Sequence, residues 1–262
     1  NQTSQKAIIN WQTFNIGSQG HVHFEQPNAS AAALNRVLTP DASQIFGKLT
    51  STGQVFLLNP NGIIFGQGSS VNVGGIVAST MKISDADFMN GNYSFERGGS
   101  TGSILNQGNI TAADGGYIAL LAPEVRNEGI LSAKLGTVAI GAGDKATLDF
   151  NGDSLIGITV EPAAINAFIE NKHLIQADGG RVIMSASAAN SLLSSIVSNQ
   201  GVIQARTIEN RSGVILLLAG MESGGVVKVG GTLDASAPNG GDGGFIETSA
   251  NKVEINDHVV TT

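Results

Sequence analysis

A chain of 262 residues can bury a sizeable core in one or two domains. Charged residues make up only 13% of it, apolar residues 41% and aromatics 5%, with 35 glycines, which excludes a disordered chain and suits many short strands joined by tight turns. The net charge of −7, without a run of Lys or Arg, argues against nucleic acid or an anionic membrane surface as partner. The absence of cysteine fits a cytosolic protein, but leans toward a chain that is exported unfolded through the oxidising periplasm.

The first 65 residues lack a repeat but alternate as strands do, as in Gln54-Val55-Phe56-Leu57-Leu58. Asn59-Pro60-Asn61-Gly62 follows, with Ile63 opening the next apolar run. Asn caps the backbone, Pro fixes φ, and Asn-Gly tolerates positive φ, so this is a tight corner between strands. Between 85 and 100, Phe88, Tyr93 and Phe95 surround Asn90-Gly91, a hairpin signal.

From residue 105 a phrase recurs: an apolar residue, Asn, two variable positions, then apolar residues and a small one. Its copies carry Asn106, Asn127, Asn171 and Asn199, and a degenerate copy at 229–235 has Gly230 in place of Asn. These Asn residues lie 21, 44 and 28 positions apart: one turn, two turns, and one turn with an insertion. Gly-rich turns and a second apolar strand follow, as at Gly115-Gly116-Tyr117, Gly136-Thr137 and Gly179-Gly180-Arg181. A period of ~20–22 residues with two or three short strands per turn predicts a parallel β-helix. A leucine-rich repeat would need a Leu-x-x-Leu-x-Leu frame, and a β-sandwich would show no fixed phrase. The four Asn residues either stack as an amide ladder at one corner or each tolerate a left-handed turn.

Three stretches break the rhythm and read as excursions: 85–100, 151–169 and 186–197. The second carries β-rich residues 155–160, then Pro162 and a short run with helical character. The third has Leu192, Leu193, Ile196 and Val197 at helix-compatible spacing. Gly240-Gly241-Asp242-Gly243-Gly244 lacks the Gly-Lys-Ser/Thr of a phosphate loop and misses the calcium nonapeptide frame, so it reads as a loop between strands. The most apolar stretch, Val214–Ala219, is far below the ~20 residues of a spanning helix, so no direct membrane insertion is expected. No signal peptide is visible; a secreted protein's signal would already be removed.

The run from Ile9-Asn10-Trp11 through Val22-His23-Phe24, Leu34-Asn35-Arg36-Val37, Ser43-Gln44-Ile45-Phe46-Gly47 and Gly53 to Ile63 resembles the secretion domain of two-partner-secretion exoproteins. That family includes filamentous haemagglutinin, high-molecular-weight adhesins, haem–haemopexin utilisation proteins and contact-dependent inhibition toxins. The resemblance is specific over about residues 6–80 and looser through the repeats, where Gly243-Gly244-Phe245-Ile246-Glu247-Thr248-Ser249 is also similar. It implies an all-β fold: a right-handed parallel β-helix with an N-terminal cap and extra-helical hairpins. It implies a single domain over 1–262, with cap and first rungs at 1–65 and repeat rungs at 66–262. It implies a partner, an outer-membrane β-barrel transporter whose periplasmic domains recognise the chain, and a secreted or cell-surface location after transit through the periplasm. The family motif carries over to Asn59, Pro60, Asn61, Gly62 and Ile63, as transporter recognition or as a fold-critical corner, with corner formation the expected direct role. The family's second motif, Asn-Pro-Asn-Leu, is matched only by Gln26-Pro27-Asn28-Ala29. Members carry further strands upstream of the Ile-Asn-Trp phrase, so part of the cap is expected to lie outside this sequence.

Parallel β-helices also include carbohydrate-active enzymes and carbohydrate-binding adhesin fragments, the alternative reading. Lyases and hydrolases of this fold stack acidic residues for calcium or acid–base work. Here Asp114 and Asp178 sit in equivalent Ala-Asp-Gly-Gly turns, and the pairs Asp85/Asp87 and Asp149/Asp153 are isolated. His21 and His23 share one face of a strand, but His173 and His258 are distant, so no metal is expected. No catalytic residue and no cofactor are expected, and the chain reads as a monomer. Sequons occur at Asn1, Asn28, Asn92, Asn109 and Asn210, a number that chance explains as well as glycosylation does.

Overall fold

The chain winds through successive coils, each contributing one strand to each of up to three parallel sheets. The structure, a computed structural model, describes residues 1–150, 155–222, 224–256 and 260–261. The first coil holds β1 (Lys6–Trp11) and β2 (His21–Phe24); the second β3 (Ala32–Val37), β4 (Ser43–Ile45) and β5 (Lys48–Ser51). The third holds β6 (Gln54–Leu58), β7 (Ile63–Phe65) and β8 (Ser70–Val73). The fourth starts with β9 (Gly75–Ser79), leaves the helix for α1 (Asp85–Asn90) and β10 (Ser94–Glu96), and returns in β11 (Ser103–Asn106) and β12 (Asn109–Ala112). The fifth is β13 (Tyr117–Leu121), β14 (Glu124–Asn127) and β15 (Ile130–Ser132). The sixth opens with β16 (Thr137–Ala142), leaves in β17 (Lys145–Asp149) and β18 (Gly157–Glu161), and closes with β19 (Ala167–Asn171) and β20 (Leu174–Gln176). Then come β21 (Arg181–Ala186), β22 (Ser195–Asn199) and β23 (Val202–Gln204); β24 (Val214–Ala219), β25 (Val226–Val229) and β26 (Thr232–Asp234); and finally β27 (Phe245–Ser249), β28 (Lys252–Ile255) and β29 (Val260–Thr261).

The first sheet runs β1-β3-β6-β9-β13-β16-β21-β24-β27. The second runs β4-β7-β11-β14-β19-β22-β25-β28, and the third β2-β5-β8-β12-β15-β20-β23-β26-β29. Register stacks like on like. Inward residues Val55, Ile76, Ile118, Val138, Val182 and Ile215 form one column of the first sheet. Leu49, Val71, Ile110, Leu131, Ile175, Ile203 and Leu233 form one of the third. Each such side chain is fully buried, worth ~1.5–3 kcal/mol, and a one-residue slip would turn the whole column to water. At one end of this core the indole of Trp11 meets Phe14 edge-on (5.5 Å), and Phe14 stacks on Phe24 (6.5 Å).

The Gly-rich turns between the third and first sheets have a steric cause. A Cβ on Gly136 would lie 1.9 Å from the Gly116 carbonyl oxygen, and one on Gly180 2.0 Å from that of Gly136. Coils spaced by hydrogen bonding leave no room for a side chain there.

The excursions build a second core on the outer face of the first sheet. Antiparallel β10-β17-β18 and α1 bury Phe56, Phe88, Phe95, Tyr117, Leu121 and Leu148 against it. Residues 85–100 do leave the helix, but not as a hairpin turning at Asn90-Gly91. Gly91 (φ 79°) is the left-handed cap ending α1, whose N-cap Ser84 accepts from the Asp87 backbone N–H. The hairpin in this layer is formed instead by β17 and β18. Of the 151–169 stretch, 151–154 lies outside the described residues, and the run after Pro162 is bends leading into β19, not helix. Residues 187–194 are also non-helical: Leu192 is 94% exposed, while Ile196 and Val197 belong to β22. Among the described residues no helix is long and apolar enough to cross a membrane.

Candidate functional site

Asn59-Pro60-Asn61-Gly62-Ile63 turns the chain from β6 of the first sheet into β7 of the second. The turn closes by the Gly62 N–H donating to the Asn59 carbonyl at 3.1 Å, and Gly62 has φ 120°, where L side chains are strained. The Asn59 side chain is fully buried and completely used. Its Oδ1 accepts from the Asn61 backbone N–H (3.0 Å), and its Nδ2 donates to the Asp41 carbonyl (2.9 Å) and Ser43 Oγ (3.0 Å). The latter two belong to the coil before. From the coil after, Ser100 Oγ donates to the Pro60 carbonyl at 2.6 Å. Asn61 is exposed, its Nδ2 donating to the Thr39 carbonyl (3.0 Å), and Ile63 faces the core between Ser43 and Ile104. The corner thus joins three successive coils, with Pro60 partly exposed and Asn61 at the surface.

Gln26-Pro27-Asn28 makes a second corner by related means. Gln26 is buried; its Oε1 accepts from the Gly53 N–H (3.0 Å), and its Nε2 donates to the carbonyls of Ala31 (3.1 Å) and Gln54 (3.2 Å). Asn28 Oδ1 accepts from the Ser30 N–H at 3.0 Å.

Asn106, Asn127, Asn171 and Asn199 end β11, β14, β19 and β22, all fully buried where the second sheet turns toward the third. Asn106 Nδ2 donates to Asn127 Oδ1 (2.7 Å), Asn127 to Asn171 (2.7 Å) and Asn171 to Asn199 (2.8 Å). Phe65 precedes the column in register and Val229 follows it. Val229, not Gly230, therefore stands opposite Asn199: its side chain continues the buried column, and Gly230 takes the next turn position.

Several carboxylates on the outside are matched to cations. Arg126 bonds Glu124 (2.6 Å) and Glu170 (2.8 Å), Lys172 reaches Glu170 (3.2 Å) and Glu128 (3.4 Å), and Arg126 lies over the Phe168 ring. Asp114 and Asp178 share a turn sequence but not an environment. Asp114 is exposed, 3.8 Å from Lys134, whereas Asp178 is buried and gripped by Arg206 Nη2 (2.7 Å), the Arg206 N–H (2.9 Å) and Gln176 Nε2 (2.9 Å). Burial pushes the Asp178 pKa up, but the Arg206 and Gln176 hydrogen bonds outweigh it and hold the carboxyl below its ordinary range. Asp85 pairs with Arg36 (2.7 Å); Asp153 lies outside the described residues.

His21 Nε2 and His23 Nδ1 both meet Thr50 Oγ1, at 2.7 and 2.8 Å. His173 is far from them on the chain and bonds the Gly129 carbonyl, and His258 lies outside the described residues. Among the described residues no three His, Cys, Asp or Glu side chains come together as a metal site. The sequon residues Asn1, Asn28, Asn92, Asn109 and Asn210 are all exposed.

Comparison with known proteins accords with this architecture. The chain is 35% identical over 241 residues to a heme/hemopexin-binding protein of Haemophilus influenzae, and 37% identical over 228 residues to the one from its strain ATCC 51907 / DSM 11121 / KW20 / Rd. Each match covers 83% of this chain, which spans about a quarter of the relatives' length (25% and 24%). The crystal structure of the HMW1 secretion domain from Haemophilus influenzae superposes with a TM-score of 0.65 at 25% identity, covering 100% of this chain and 94% of that one. Residues 1–233 match the TPS secretion domain, and with a β-helix of this form and relatives at this identity the chain belongs to that family.

Proposed function

We propose that the chain is the secretion-targeting module of a larger exoprotein, recognised in the periplasm by a cognate outer-membrane β-barrel transporter and templating β-helix folding at the cell surface. A TPS secretion domain is a non-enzymatic targeting module of secreted exoproteins. The observation that carries the reading is the Asn59 corner, which binds the coil before it and the coil after it while leaving Asn61 at the surface. Its direct role is to lock the first coils; recognition by the transporter's periplasmic domains uses a larger surface. Templating follows from stacking, since in the three parallel sheets the strands of each coil pair with those of the coils beside it and add buried apolar area worth ~25 cal/mol per Å².

The test is capture of the folded chain on immobilised periplasmic domains of the transporter encoded beside its gene, with secretion measured in parallel. Wild type is retained and secreted, and Asn59→Ala loses both in step with its melting temperature. An Asn59→Ala chain that melts like wild type yet is not captured would make the motif a docking element. No capture of wild type would remove the transporter reading.

A further inference from the structure

The extra-helical layer covers the outer face of the first sheet only part of the way. Ile158 and Val160 of β18 press onto β16, so closely that a Cβ on Gly141 would lie 2.7 Å from Ile158 Cδ1 and 3.3 Å from Val160 Cγ2. On β21, beneath the same strand, Ile183 is buried. One strand further, on β24, the outward residues Val214, Leu216 and Leu218 are partly exposed, and Phe245 of β27, in register with Val214, is 56% exposed. None of these four belongs to either buried core.

β18 is also a free edge. Among the described residues it pairs with β17 alone. Its sequence, Gly157-Ile158-Thr159-Val160-Glu161, is β-branched, has no Pro or Lys, and its one charge is engaged by Lys145 at 3.2 Å. Within the strand neither Pro nor Lys blocks the edge; Pro162 only bounds it. A strand added there, about 4.8 Å beyond β18, falls over β24.

We propose that the β18 edge and the β24 strip form a strand-addition site for one extended segment of another protein with apolar residues at alternate positions. Continuity with the existing interface argues for this occupant. It would be the fourth strand of a layer already packed on this sheet, bonding β18 through its backbone and resting alternate side chains on Leu216 and Leu218. A second copy of the chain does not fit. Its β18 carries its own helix beneath it, and that helix would need the space held here by β24 and β27. The site is independent of the transporter reading and is tested without it.

The full chain is titrated with a soluble peptide of alternating Val and Thr flanked by Lys, and amide hydrogen exchange is followed. Protection is expected to rise at 157–161 and binding to weaken at least tenfold in the Leu216→Asp/Leu218→Asp variant, with Leu192→Asp unchanged. A peptide with Pro at its central position tests the edge without altering the protein, and it is expected not to bind. No new protection at 157–161, equal binding of the Pro peptide, or equal binding by the double variant overturns the proposal. So does protection that grows with protein concentration in the absence of peptide, which would mean self-association at this edge.

Discussion

Asn59 Nδ2 donates to Ser43 Oγ at 3.0 Å across sixteen positions of sequence, with both residues sealed from solvent. Asn59→Ala orphans the Ser43 hydroxyl, the Asp41 carbonyl and the Asn61 N–H together. Ser43 is buried, whereas Asp41 and Asn61 are at the surface and their backbone groups can turn to water, so at ~1–3 kcal/mol for a buried group left unpaired a loss of about 1–3 kcal/mol is expected. Urea unfolding at neutral pH measures it. A loss below ~0.5 kcal/mol would mean that the corner does not hold the coils.

Position within the Asn column sets the cost of removing a member. Asn127 both accepts from Asn106 and donates to Asn171, so Asn127→Ala breaks two links of the column, whereas Asn106→Ala breaks one and also frees the Gly108 N–H that its Oδ1 accepts at 3.2 Å. We expect about 2–4 kcal/mol for the first and somewhat less for the second, by the cost of unpaired buried polar groups. The double variant is expected to cost less than the sum, because the two share a bond. Strict additivity in a double-mutant cycle would show that the amides act separately.

At the third-to-first turn before β16, Gly136 is required by distance, not by φ. Gly136→Ala forces a methyl group against the Gly116 carbonyl, so the coils must part locally. A loss of about 2 kcal/mol or more is expected from such overpacking. Gly17→Ala, where no atom lies within 4 Å, is the control and is expected to stay within ~0.5 kcal/mol of wild type.

Acid sensitivity is expected to centre on Asp178. Its folded-state pKa lies below the unfolded value of ~3.9, so its contribution is fully present above that value. It is lost as the pH falls through the lower, folded pKa. Stability therefore declines from about pH 5 downward, and Asp178→Asn is expected to flatten that acid limb while lowering stability at pH 7. An unchanged acid limb in Asp178→Asn would assign the sensitivity elsewhere, with Asp144 beside Arg97 the next carboxyl held low.

Much of this was legible in one dimension because a β-helix repeats. Inward apolar columns, Gly-rich turns and Asn positions all recur with the coil, so period and alternation sufficed to place them. Partners one coil away were not. Nothing local marks Ser43 as the acceptor for Asn59, or Arg206 as the partner that separates Asp178 from Asp114. Asn90-Gly91 misled because a left-handed Gly serves a hairpin turn and a helix C-cap equally; the discriminating signal was Ser84 with Asp87 three positions on, an N-cap pattern. Residues 186–197 misled because Leu192 and Leu193 sit in a loop while Ile196 and Val197 are strand neighbours on opposite faces. Spacing alone could not tell these from one helical stripe.

Lys6, on the first strand, extends its ammonium over the rings of Phe88 and Tyr93 and donates to the carbonyls of Phe88 (2.7 Å) and Met89 (3.1 Å) at the end of α1. More than eighty residues separate these partners. A chain released from its N-terminal end can pair β1 with β3 early, but the Lys6 clasp on β1 forms only once α1 has followed. The molecule starts as an open hook, and its fourth coil closes it.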